Sequence, residues 1–199
     1  MVTIIDYAIN NLRSVEKAFA SMDIPVEVTD NPHKIRKAEK LVLPGVGAFA
    51  DAMHNLQAKN LIAAIRESVY SRTPLLGLCL GLQLLFSESE EFGRTEGLRF
   101  IPGKVKRLPD SVLVPHIGWN QLHLRRSDPL LDGIGEDSFV YFVHSYYAEP
   151  EDSRDILATT DYDIQFPSIA RHDNVWATQF HPEKSQGVGL RMLKNFALM

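Results

Sequence analysis

Residues 74–78, Pro-Leu-Leu-Gly-Leu, carry no polar side chain. A strand that is apolar on both faces belongs inside a parallel sheet covered by helices on each side, not in a sheet with one wet face. Three similar short runs precede it, at 2–5, 26–28 and 40–43. Between them lie stretches with helical spacing. Leu12, Val15, Phe19 and Met22 recur at intervals of three or four, which places them on one helical face, with Asn10 or Asn11 available as its cap. Asn31-Pro32 is a helix start with proline in the first turn. Helical patterns also cover 49–57, 61–71 and 81–87, and a last helix runs over 187–198.

From about residue 93 the texture changes to short strand-like runs at 105–108, 119–124, 139–143, 156–160, 168–171 and 175–179. Gly, Pro, Asp and Asn separate them. No repeat, low-complexity tract or linker interrupts the chain. The expectation is one α/β domain over residues 1–199. Its central sheet is mostly parallel and flanked by helices, with additional antiparallel strands in the C-terminal half.

The length of 199 residues is enough to bury a full core. A net charge of −4 offers no basic face for nucleic acid or anionic lipid. No apolar run approaches the ~18 residues that span a bilayer, and the start of the chain lacks the basic and apolar segments of a signal peptide. The one cysteine, Cys79, cannot form an internal bridge, which fits a reducing cytoplasm.

Cys79 follows the apolar strand in Gly77-Leu78-Cys79-Leu80-Gly81 and opens a helix. Strand, Gly-x-Cys-x-Gly, helix is a nucleophile elbow with cysteine in place of serine. The turn projects the thiol above the sheet's carboxyl edge, at a helix N-terminus whose dipole favours thiolate. The Leu80 amide stands ready to donate to an oxyanion. A buried structural cysteine is the plainer alternative.

A cysteine nucleophile needs a base and a group that orients it. Of seven histidines, His33 and His54 lie on polar helical stretches and are expected in solvent. His181 stands in Gln179-Phe180-His181-Pro182-Glu183, just past an apolar strand. Glu183 can accept from the second imidazole nitrogen, which makes His181 the candidate base. An ordinary turn is the competing account of this string. His116 and His144 are expected to be hydrogen-bonded structural histidines, and no histidine pair has zinc-site spacing.

Pro44-Gly45-Val46-Gly47 follows a strand and leads to a helix. It nearly matches a dinucleotide fingerprint, but it follows the third strand, and proline stands where the tight turn would begin. A glycine-rich strand that brings the Val46 or Gly47 amide to the oxyanion is the better functional account, with a plain turn as the other.

The cysteine string, extended through Leu82-Gln83-Leu84-Leu85, and the string 179–185 together resemble class I (triad) glutamine amidotransferases. Three further strings, 44–47, Pro115-His116-Ile117-Gly118-Trp119-Asn120 and Tyr141-Phe142-Val143-His144-Ser145-Tyr146, are similar within that class to the glutaminase subunits of imidazole glycerol phosphate synthase. The likeness runs from Asp6-Tyr7 to the last helix. It implies a flavodoxin-like fold with Cys79 as nucleophile, His181 as base and acid, and Glu183 as the orienting carboxylate. Gly47, Leu80, Gln83, Ser145 and Tyr146 would line a glutamine pocket. Asn11, Trp119 and Tyr141 would lie near the face that meets a (βα)8-barrel cyclase subunit. On residue type alone, Trp119 and Tyr141 read as core aromatics.

The implied reaction hydrolyses glutamine through a cysteine thioester and passes ammonia to the cyclase, with no metal or organic cofactor. Ala8 and Asn10 depart from the two glycines usual in the loop after the first strand. A glutaminase serving another synthase, such as pyridoxal phosphate synthase, a catalytically idle subunit and a cysteine peptidase are the alternative functions.

Overall fold

The computed structural model describes residues 1–199. Five strands make the parallel part of the main sheet: β1 (Val2–Ile5), β2 (Val26–Thr29), β3 (Lys40–Leu43), β4 (Leu75–Leu78) and β14 (Val175–Thr178). The intervening helices are α1 (Leu12–Ala20), α2 (Pro32–Arg36), α3 (Phe49–Ala58), α4 (Leu61–Tyr70) and α5 (Leu80–Leu84), and α6 (Gln186–Leu198) ends the chain. Short strands fill the second half: β5 (Phe86–Ser89), β6 (Thr95–Glu96), β7 (Ile101–Arg107), β8 (His116–Gln121) and β9 (His123–Leu124). They continue with β10 (Phe139–His144), β11 (Tyr146–Pro150), β12 (Ile156–Tyr162) and β13 (Ile164–His172).

The main sheet has eight strands in the order β2-β1-β3-β4-β14-β13-β12-β9. Its pairings are parallel from β2 to β14 and antiparallel beyond. β4 is buried along its whole length near the middle of this sheet. Leu75 packs into one hydrophobic cluster with α3 and α4, while Leu76 and Leu78 pack into a second with α1 and α6. The alternation follows from the period of two along a strand. An apolar run in the centre of a doubly covered sheet is the arrangement that its sequence demands.

The C-terminal half is more divided than expected. Only β12, β13 and β9 extend the main sheet, while β8–β10 form a separate two-stranded ribbon and β11-β7-β5-β6 a third sheet. The helix expected over 81–87 stops at Leu84, and the chain turns into β5. The reason is local. The carbonyls of Leu84 and Leu85 accept from the amides of Leu98 and Phe100, both at 2.8 Å, so neither is available to a continuing helix. The run expected over 119–124 is two strands, because residues up to Gln121 pair with β10 whereas His123 and Leu124 pair with β12. Asn31 does start α2, its side chain accepting from the His33 amide at 2.9 Å.

Candidate active site

The elbow is built by backbone strain and by the absence of side chains. Cys79 sits at φ 53°, ψ −109°, a conformation that costs a non-glycine residue about 1–3 kcal/mol. It is held there by its amide, which donates to the Thr178 carbonyl of β14 at 2.8 Å. Gly81 shows how closely the strands and α5 approach. A Cβ at that position would fall 1.8 Å from the Leu43 carbonyl oxygen, inside the space of β3.

His181 follows β14 and Glu183 follows it in a single 3-10 turn. Its Nδ1 donates to Glu183 Oε1 at 2.8 Å, and the ring adjoins the Cys79 sulfur, which lies 3.8 Å from the Val143 carbonyl oxygen. Burial alone would pull the imidazole down. The Cys79 and Glu183 contacts outweigh that and push it up to about 10. The imidazole is therefore protonated beside the sulfur near neutrality, the state that can give a proton to a departing amine. Three sequence-expected residues separated by up to 104 positions thus meet at the carboxyl edge of the sheet, the imidazole bonded to the carboxylate and adjoining the thiol.

Asn11 also holds the carboxylate. Its Nδ2 donates to the same Glu183 Oε1 at 2.9 Å, while Glu183 Oε2 is buried and accepts from no protein group. Asn11 stands at the N-cap position of α1 with φ 79°, but its side chain makes no capping bond. The cap expected from Asn10 or Asn11 is absent, because the Asn11 amide is committed to the carboxylate.

A cavity of about 340 Å³ opens over the thiol. Val46, Gly47, Leu80, Gln83, Ser145 and Tyr146, all anticipated from the sequence, line it together with Cys79 and His181. Its wall also includes Glu91, Pro115, Val143, His144 and Lys184. Glu91 was hidden in an acidic stretch that reads as a solvated face, and its Oε2 accepts from the Phe49 amide at 2.6 Å. Gln83 holds the opposite wall by donating to the Tyr146 carbonyl at 2.9 Å.

Of the expected oxyanion donors Val46, Gly47 and Leu80, neither Leu80 nor Val46 is presented to the cavity. The Leu80 amide donates to the Gly45 carbonyl at 3.4 Å. The Gly45–Val46 peptide is trans, so its N–H points opposite to that carbonyl and away from the elbow. Gly45 has no room for a side chain, since a Cβ there would lie 2.7 Å from Gly81 N and 2.8 Å from Tyr7 Oη. Tyr7 Oη in turn donates to the Pro44 carbonyl at 2.7 Å, and burial raises the phenol's pKa. Val46 as donor therefore requires a turned peptide.

Two readings of residue type need correction. Trp119 is 45% exposed and meets half-buried Tyr141 edge-on at 5.9 Å between ring centroids, so neither is a core aromatic. Ile117, Phe139 and Leu113 are exposed as well, on or beside the same β8–β10 ribbon. His33 and His54 are exposed, as expected, and His116 and His144 are buried and hydrogen-bonded to each other at 3.0 Å.

The family model "Glutamine amidotransferase class-I" matches residues 3–199. The chain is 52% identical to the imidazole glycerol phosphate synthase subunit HisH of Syntrophotalea carbinolica over 206 aligned positions, covering the whole of both chains. It is 53% identical to the HisH subunit of Moorella thermoacetica over 98% of this chain and 93% of that one. A crystal structure of a glutamine amidotransferase shares the fold with a TM-score of 0.78 at 18% identity, covering 98% of this chain and 97% of the other. Identity at half of all positions, sustained from end to end, goes well beyond a shared fold: the chain belongs to the class-I glutamine amidotransferases and, within them, to the HisH family.

Proposed function

We propose that this protein is the glutaminase subunit of an imidazole glycerol phosphate synthase, with Cys79, His181 and Glu183 as its catalytic residues. The observation that carries this reading is a thiol beside an imidazole that a buried carboxylate holds, with Cys79 and His181 both in the wall of one cavity. The Cys79 thiolate attacks the side-chain amide carbon of glutamine, forming a C–S bond while the carbonyl electron pair moves to oxygen. His181 gives its proton to the amide nitrogen, the C–N bond breaks, and ammonia leaves a thioester. Water then attacks, His181 takes its proton, and the C–S bond breaks to release glutamate and the thiolate. Glu183 keeps the imidazole in one tautomer and stabilises its charge. The Glu91 carboxylate in the wall supplies the negative charge that the α-ammonium group of glutamine needs.

Leu80 and the 44–47 segment form the oxyanion site only after the Gly45–Val46 peptide turns over, freeing the Leu80 amide and presenting that of Val46. The resting protein is therefore latent, and a partner that engages the exposed β8–β10 ribbon supplies the signal. That partner is a (βα)8-barrel cyclase, which receives the ammonia, and Asn11, Trp119 and Tyr141 lie on or behind the face it meets. No helix is long and apolar enough to cross a membrane. A lone nucleophilic thiol works best in a reducing compartment, and the cytoplasm is its proposed location.

Glutaminase turnover measured with and without the cyclase and its nucleotide substrate tests this reading. Gaining these two oxyanion donors, each worth about 10²–10³, predicts a rise of at least about 10³ on assembly. High turnover by the lone chain, unchanged by the cyclase, would contradict the latent state.

A further inference from the structure

His116 and His144 are buried, belong to facing strands β8 and β10, and take no part in the steps above. Their hydrogen bonds fix their tautomers. His144 Nδ1 lies 2.9 Å from the Tyr146 carbonyl, which can only accept, so Nδ1 carries the hydrogen. The bare Nε2 of a neutral His144 then accepts from His116 Nδ1 at 3.0 Å. His116 Nε2 is left bare in turn and faces Asn120 Nδ2 at 3.4 Å. The Asn120 amide is itself oriented: Oδ1 accepts from the Gln121 amide at 2.8 Å, and Nδ2 donates to the Asp161 carbonyl at 2.9 Å. Every bond therefore runs one way, from Asn120 through His116 and His144 to the Tyr146 carbonyl.

That carbonyl is a joint acceptor, since Gln83 Nε2 also donates to it at 2.9 Å. The glutamine cavity touches Gln83, His144, Ser145 and Tyr146, so the end of the relay is a wall of the pocket. His116 is clamped in place, stacked between Phe142 and Tyr162 with ring centroids 4.9 and 4.0 Å away. We infer that His116 and His144 are positioning residues for the glutaminase reaction, a one-way neutral hydrogen-bond relay that fixes the Tyr146 carbonyl and with it the wall of the glutamine pocket.

The relay works only while both rings are neutral, because an added proton would set a donor against a donor. Burial keeps them so, holding His116 down to about 4 and His144 down to about 3. The titratable groups facing the pair are His181, whose positive charge also opposes a proton on His144, and the Tyr162 phenol on β12. Aromatic Phe142 and Phe166 complete the surroundings.

The inference rests on the cavity being the glutamine site, so its test has one arm that does not depend on activity. In 15N-histidine NMR spectra of the full chain, both rings are expected as Nδ1–H neutral tautomers from pH 6 to 8. An Nε2–H tautomer or an imidazolium at either position overturns the relay. In the second arm, glutamine kinetics are measured on the assembled synthase. His144→Phe removes the donor to Tyr146 and is expected to raise KM about tenfold with kcat largely kept, as loss of one well-placed hydrogen bond would. His144→Asn restores a donor at the Nδ1 position and is expected to bring KM back to within about threefold of the original. Equal KM for both variants, or a kcat loss that tracks thermal stability, overturns the inference. Should His144→Phe fail to fold, His116→Leu against His116→Asn makes the same comparison one step outward. An inactive wild-type synthase whose NMR tautomers are as expected would sink the glutaminase reading, and the catalytic role with it, but not the relay.

Discussion

Ala8 occupies a left-handed conformation at φ 65°, at one of the two loop positions where the family resemblance implies glycine. An L side chain there is strained by roughly 1–2 kcal/mol. Ala8→Gly should therefore raise stability to chemical denaturation by about 1 kcal/mol, less the added backbone entropy of glycine. At the second replacement, Asn10, the backbone is unstrained, and positive φ falls on the next residue, Asn11. Sequence could name the loop as altered, but only the backbone shows which residue carries the strain. Asn11→Gly leaves Glu183 held by His181 alone without straining the positive-φ backbone, and a fall in kcat/KM of about tenfold with little change in folding is expected. Enzyme kinetics on the assembled synthase would check it, and an unchanged kcat/KM would remove Asn11 from the triad's support. Gly81→Ala has no room to be accommodated, and a loss of about 3 kcal/mol or more, read by thermal melting, is expected.

At the scale of elements, the apolar strand and its elbow were legible because a doubly buried strand and a Gly-x-Cys-x-Gly turn leave few alternatives. The third sheet was not. β11 begins two residues after His144 and its pairing with β7 is a long-range contact that no local spacing announces. The same holds for the site. The triad strings were readable, whereas Glu91 enters the cavity through tertiary placement alone. A second hub ties the sheet's antiparallel side together. Asp128, almost fully buried, accepts from Arg171 at 2.6 Å, Trp176 Nε1 at 3.0 Å and the Leu130 amide at 2.8 Å. Asp128→Ala strands the Arg171 charge and two further donors, so about 3–5 kcal/mol of stability should be lost. Denaturant unfolding measures this, and a loss below about 1 kcal/mol would show the hub to be dispensable.

Across the whole molecule, the buried histidines set opposite slopes of stability with pH. His116 and His144 have folded values below the ordinary 6.5, so the unfolded chain takes up protons that the fold refuses. Their contribution is complete above pH 6.5 and is lost as pH falls toward 4 and 3. His181 is raised to about 10, so its contribution is complete below pH 6.5 and is lost as pH rises to 10. Tyr7, also raised, extends the alkaline decline above pH 10, where the unfolded phenol ionises. Thermal melts of the full chain should peak near pH 6–7, and Cys79→Ala should flatten the alkaline limb by removing one partner of His181. A melting temperature that climbs steadily from pH 7 to 10 would contradict the protonated imidazole.

All of this chemistry turns on Cys79 being the atom that attacks glutamine. The most direct measurement is covalent labelling of the assembled synthase with an electrophilic glutamine analogue, followed by mass spectrometry of the peptides. The predicted result is a single adduct on Cys79, protected by glutamine and largely lost in His181→Ala. An unlabelled Cys79, or glutaminase turnover that survives Cys79→Ala, would contradict the account.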